Sequence, residues 1–91
     1  MDRELNISGA IVDSWVERAN SVWDRPRVIL QVASRDRPGD LMIVQADTAL
    51  VPDRYWLEDL GENLCHGSPV AAVGRLTLGG LLSATQIQFV R

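Results

Sequence analysis

An all-β domain carrying one helix, its five strands closed into a small barrel, is the fold class this sequence predicts. Three observations predict it. Five short runs alternate apolar with polar residues or are largely apolar, and Gly, Pro, Asn, Asp or Ser punctuates the chain between them. One stretch between the third and fourth runs carries leucines at helical spacing. The length, 91 residues, fits one domain.

The first strand is expected over Leu5–Val16, with Leu5, Ile7, Gly9, Ile11 and Trp15 on one face and Ala10, Val12 and Val16 on the other. Gly9 inside it is expected to mark the bulge or bend that a small barrel needs in order to close. Glu17–Pro26 reads as a polar loop turning at Ala19-Asn20-Ser21. The second strand, Arg27–Ser34, points Val28, Leu30 and Val32 one way and Arg27, Ile29 and Gln31 the other. Arg35–Asp40 is a turn, because Pro38 presets φ and Gly39 accepts a positive one. The third strand, Leu41–Ala46, therefore forms a hairpin with the second.

Pro52-Asp53 opens a helix running to about Leu64, with Leu57, Leu60 and Leu64 on one stripe and Asp53, Glu58 and Asp59 toward the positive end of its dipole. Gly67 stops that segment. Val70–Leu78 is the fourth strand, Gly79-Gly80 a tight turn, and Leu82–Val90 the fifth. In the fifth, Leu82, Ala84, Gln86, Gln88 and Val90 oppose Ser83, Thr85, Ile87 and Phe89.

Composition bounds the function. The chain is 46% hydrophobic and 23% charged, which suits a globular protein and not a disordered one. A domain this short buries only about 60–65% of its unfolded surface, so an oligomer interface or a partner is expected. The Asn63–Gly74 run is uncharged but too short and polar to span a membrane. Met1-Asp2-Arg3-Glu4 lacks the order of a secretory signal. Cys65 is the sole cysteine, which excludes an intrachain disulfide and a thiolate cage, and a reducing cytoplasm is the expected compartment. All nine basic residues are Arg, against twelve acidic ones, for a net charge of −3. That balance weighs against nonspecific nucleic-acid binding, which draws on phosphate neutralisation. Arg is nonetheless the cation that stacks on bases and grips phosphates with two hydrogen bonds. A GC-rich coding bias would produce the same Arg-only set.

Three strands, a helix and a closing hairpin follow the order of the OB (oligonucleotide/oligosaccharide-binding) barrel, in which the helix plugs one end. Trp56-Leu57-Glu58-Asp59-Leu60-Gly61-Glu62-Asn63-Leu64 and His66-Gly67-Ser68-Pro69-Val70-Ala71-Ala72-Val73-Gly74-Arg75-Leu76 resemble the helix, Gly turn and fourth strand of bacterial single-stranded-DNA-binding proteins. Leu82–Val90 resembles their last strand, and equally that of the related primosomal replication protein N family. Ile7-Ser8-Gly9-Ala10-Ile11 is similar to the Ile-x-Gly-x-Ile/Val opening of both. The resemblance covers nearly the whole chain, as a pattern of strands and glycines with no short signature. It implies an OB barrel that binds single-stranded DNA in replication or repair and assembles as a homodimer or homotetramer. Three departures accompany it. The last hairpin turns on Gly79-Gly80-Leu81, where those families carry a longer basic loop. The acidic-tipped tail has no counterpart before Arg91, so tail-mediated recruitment of repair enzymes is expected to be absent. Basic residues are also fewer.

Single-strand binders combine aromatic platforms with a basic groove. Trp23, in a polar loop between Val22 and Asp24-Arg25, is the leading stacking candidate, and the alternative is an aromatic folded over the barrel mouth or a subunit anchor. Trp15 stacks a base or lies in a dimer contact. Trp56, on the helix, is expected in the core. Arg25, Arg27, Arg35 and Arg37, at the two ends of the second strand, form the candidate phosphate track, although Asp24, Asp36 and Asp40 are interleaved among them. Arg75 is either exposed on the same face or paired with a carboxylate. His66 beside Cys65 reads as a capping histidine next to a buried thiol, since two adjacent residues make neither a zinc site nor a catalytic dyad. No catalytic constellation, cofactor motif or metal set is present in the sequence, and no enzyme activity or cofactor is expected. The expected function is single-stranded DNA binding, weak or helped by a partner. The alternative is an OB scaffold that has lost nucleic-acid binding and contacts another protein.

Overall fold

The computed structural model describes residues 4–17, 26–37, 39–51, 53–62, 65–77 and 79–89. Five strands, β1 (Glu4–Glu17), β2 (Arg27–Ser34), β3 (Leu41–Asp47), β4 (Pro69–Leu76) and β5 (Leu81–Phe89), close into a barrel in the order β1-β2-β3-β5-β4. All pairings are antiparallel except β3 with β5, so the barrel is mixed. A 3-10 turn at Thr48–Leu50 and one helix, α1 (Arg54–Gly61), lie between β3 and β4.

β1 is long because it serves two neighbours. Its first half, Glu4 to Ala10, pairs with β4, and Gly9 to Glu17 pairs with β2. Gly9 sits where both pairings meet. A methyl there would overlap the carbonyl oxygen of Ala33, so the missing side chain lets β2 approach. The bulge expected at Gly9 falls instead at Val12: Ile11 pairs with Val32 and Asp13 with Gln31, leaving Val12 as the extra residue. This reverses the alternation beyond it. Ile11 and Ser14 are buried, Val16 packs against the core, and Trp15 turns outward, correcting the expectation that Trp15 shares the face of Ile11.

A second bulge corrects the expected faces of the last strand. Val73 pairs with Gln86 but Gly74 with Ala84, so Thr85 is extra. Leu82 and Ala84 point into the barrel before the bulge, and Ile87 and Phe89 do so after it, while Gln86 and Gln88 face out. Gly74 lacks the side chain that would overlap the backbone of Ser83 at this point.

The core is apolar and continuous, built on Ile11, Val28, Leu30, Val32, Val44 and Leu82 in the barrel and on Trp56 and Leu60 from the helix. The Asp53 side chain caps α1, accepting from the Tyr55 amide at 2.8 Å. The helix is shorter than expected, ending at Gly61, and Leu64 lies outside the described residues. Its buried positions are Trp56 and Leu60, with Leu57 partly buried beside them. Glu58 and Asp59 sit beyond the first turn, so only Asp53 meets the positive end of the dipole. Trp56 stacks on Phe89, centroids 4.7 Å apart at 20°, which seals the helix onto β5. Gly39 and Gly80 adopt φ of 100° and 82° in the two hairpin turns, as the sequence requires.

Candidate nucleic-acid interface

Residues that alternate with the core line the outside of β1, β2, β3 and β5 in register. One row reads Trp15, Ile29, Gln45, Ser83 and continues to Arg75 on β4. The row beside it reads Asp13, Gln31, Ile43, Leu81. The row toward the β1–β2 connection is charged, with Arg27 standing between Glu17 and Asp47. Adjacent strands lie about 4.8 Å apart, so these rows form one continuous surface.

Ile29 is the unusual member. It points away from the interior, between inward-facing Val28 and Leu30, yet is only 6% exposed and belongs to no part of the core cluster. Trp15, its neighbour in the row, is half-buried, and its indole N–H lies 3.5 Å from a Glu17 carboxylate oxygen. Apolar surface continues on this side of the barrel, where Val12 is 43% and Leu41 55% exposed.

The expected arginines do not converge. Arg27 opens β2, and exposed Arg35 and Arg37 lie past its other end, about 26 Å further along the strand direction for Arg35. The Arg35 amide donates to the Ser8 carbonyl at 2.9 Å, which fixes the turn's start against β1. Arg75 is exposed, in register with both Ser83 and Glu4, and with Glu4, Gly74 and Thr85 it lines a hollow of about 200 Å³. Trp15 and Arg75 are thus two ends of one row, a connection that sequence spacing did not reveal. Trp23 and Arg25 lie outside the described residues.

Gln31, Ile43 and Gln45 were not singled out in the sequence. The signal was present, because they occupy the positions of the second and third strands opposite the core, on the face that OB barrels use for ligands. Round the wall, Ala71, Val73, Gln86, Ile87 and Gln88 line a second shallow hollow of about 270 Å³.

His66 lies in the turn after α1, its Nε2 3.8 Å from an Asp13 carboxylate oxygen, with both side chains about half exposed. Cys65 is buried, its Sγ 3.6 Å from the Ser14 hydroxyl. Among the described residues, no three His, Cys, Asp or Glu side chains gather as a metal site, and no helix is long and apolar enough to cross a membrane.

A mixed five-stranded barrel with its helix between the third and fourth strands is an OB-type barrel, and its outer β1–β2–β3 surface carries an aromatic, two carboxamides and flanking arginines. The chain is similar in structure to the mitochondrial single-stranded DNA binding protein of S. cerevisiae, with a TM-score of 0.67 and 16% identity over 100% of this chain and 97% of that one. At that identity the likeness concerns the fold. No family model and no curated protein sequence matches the chain.

Proposed function

We propose that this chain is a small OB-type accessory of DNA replication or repair that binds single-stranded DNA on the outer face of β1, β2 and β3 and performs no catalysis. The observation that carries this reading is the placement of Trp15 on that face, next to the outward but covered Ile29. A large aromatic held half-open on a sheet offers a base a stacking partner, a contribution of about 1–3 kcal/mol. Arg27 at one end, Arg35 and Arg37 at the other, and Arg75 beyond Ser83 supply phosphate contacts. Trp23 and Arg25, which follow β1 and precede β2 in the sequence, remain candidates for the same role by residue type alone. Several copies assembled through β1 or an exposed sheet face would add affinity by avidity.

The test is quenching of tryptophan emission by oligo-dT at ~20 mM salt, where phosphate contacts are strongest. Trp56 is buried against Phe89, so a change in emission reports on Trp15 and Trp23. Absence of quenching and of any oligonucleotide binding at that salt defeats the reading.

One observation favours a second reading, an OB scaffold that docks protein. The Glu17–Arg27–Asp47 row sets a carboxylate on either side of its arginine, which suits a charged protein rim as well as a phosphate.

A further inference from the structure

The outer row that starts at Asp13 extends one residue further than the strands do. β4 pairs with β1 as far as Pro69 opposite Ala10, and the turn before it carries that line on along β1. There the Ile11 amide donates to the Ser68 carbonyl at 3.0 Å, and the Gly67 amide to the Ile11 carbonyl at 2.7 Å. His66, the neighbouring residue of the turn, therefore stands beside Asp13, across β1 from Gln31. The row of Asp13, Gln31, Ile43 and Leu81 thus begins one place earlier, at the chain's single histidine.

The turn does not depend on that pair for its shape. The backbone bonds to Ile11, a Ser68 amide donating to the Cys65 carbonyl at 3.0 Å, and the positive φ of Gly67 already fix it. His66 Nε2 and the Asp13 carboxylate oxygen are 3.8 Å apart, beyond a hydrogen bond but within ion-pair range, with both side chains about half exposed. The same oxygen accepts from the Ser14 amide at 2.9 Å, which holds the carboxylate in place on β1. What the pair gives the row is charge.

That charge depends on a proton, because an imidazole gains or loses one between about pH 5 and 8. The neutral ring has a single N–H. The Asp13 carboxylate favours that proton on Nε2, which leaves Nδ1 an acceptor that repels a phosphate oxygen. The imidazolium donates from both nitrogens, so it offsets the Asp13 charge and still offers Nδ1–H to a phosphate. Around the ring, β2 presents the neutral Gln31, the adjacent Cys65 is buried, and α1 brings Asp59 and its C-cap Glu62 ahead of the turn. Arg35 meets β1 further back, at Ser8.

Resting on the reading above, that this face binds single strands, we propose that His66 belongs to the site as a proton-gated phosphate contact. The imidazolium holds a phosphodiester of the strand at the Asp13 end of the row, and binding takes up a proton from solvent. The arginine contacts stand whether or not His66 is protonated.

The test titrates labelled oligo-dT with the full chain by anisotropy at about pH 6 and about pH 8, each over a range of salt. Neither thymine nor the phosphodiester titrates in that interval. The wild type should bind about three- to fivefold tighter at the lower pH, as one half-exposed ion contact would give, with a salt slope steeper by about 0.7. His66→Gln should bind with the same affinity at both. His66→Arg should bind at the higher pH as tightly as the wild type does at the lower, and circular dichroism at both checks that each barrel is intact. Calorimetry of the wild type at about pH 7, in two buffers of different protonation enthalpy, reads the proton uptake without any substitution. Wild-type affinity level across the interval, a dependence kept by His66→Gln, an unchanged salt slope, or zero proton uptake each overturns the proposal and leaves single-strand binding standing. Absence of binding at either pH at ~20 mM salt defeats the reading of the face as well.

Discussion

The Ser14 hydroxyl donates a 2.7 Å hydrogen bond to the carbonyl oxygen of Leu60, 46 residues away, and both residues are fully buried. Leu60 lies in the last turn of α1, where carbonyls lose their helical partners. The barrel wall therefore supplies the acceptor's partner, and the helix is held by a polar tie as well as by packing. Ser14→Ala leaves that carbonyl buried without its donor and is expected to cost about 1–3 kcal/mol, read as a lower urea midpoint at unchanged m-value. Oligonucleotide affinity should not move, because Ser14 faces inward.

The stack of Trp56 on Phe89 predicts a larger loss. Trp56→Ala removes a 7%-exposed ring and the face that Phe89 rests on, for about 3–5 kcal/mol. Trp56→Phe keeps a stack and should recover more than half of that. Thermal melts of the two variants separate packing of the ring from its mere presence, and a similar loss in both would contradict the stacked arrangement.

Gly9 and Gly74 are expected to reject even alanine. Each side chain would overlap backbone, at Ala33 and Ser83 respectively, and backbone in a paired strand cannot step aside. Gly9→Ala and Gly74→Ala should each lower stability by about 3 kcal/mol or more, visible as insoluble or unfolded protein. Gly79→Ala, in the open hairpin turn, is the control and should fold.

Trp15 carries the stacking contact in the proposed function. Trp15→Ala should weaken binding of a labelled oligo-dT about tenfold, while Trp15→Phe retains most of the affinity. Fluorescence anisotropy of the oligonucleotide reads this without relying on the deleted indole. An unchanged affinity in Trp15→Ala would move the site elsewhere.

Arg27 stands between Glu17 and Asp47, so reversing its charge places three carboxylates in one row. Arg27→Glu should destabilise the barrel by about 0.5–1 kcal/mol at low salt and less at high salt, because like charges across strands repel and salt screens them. Denaturant titrations at two ionic strengths check the difference.

The barrel was legible because turn chemistry and alternation agree in its central hairpin. The second strand has the boundaries that Arg27 and the Arg35–Asp40 turn imply, and the third differs only by including Asp47. What alternation could not reveal is where it breaks. No residue type announces a bulge at Val12 or Thr85, yet each reverses every side chain after it, so alternation alone puts Trp15, Ile87 and Phe89 on the wrong sides. Burial of Trp56 was legible from its place beside the leucines, and its partner Phe89 was not, because the partner depends on the second bulge. The candidate site was legible only in part. Trp15 and the arginines stand out by type, but Gln31 and Gln45 gain meaning only when pairing sets them next to Ile43 and Ile29. Ile29 itself looks like any alternate strand residue until the structure shows it covered on the outside.

The bulge at Val12 also makes this protein unequally tolerant of changes in length. Most single deletions in a strand end would shift a boundary by one residue and be absorbed by the adjoining loop. Loss of Val12 itself would be absorbed inside the strand: with the extra residue gone, Ile11 still faces Val32 and Asp13 still faces Gln31, so Ser14 and Val16 stay inside and Trp15 outside. Flattening the bulge with Val12 still present would instead send the indole inward and turn Ser14 and Val16 out to water. One residue of slack thus separates what the barrel keeps for itself from what it shows to others.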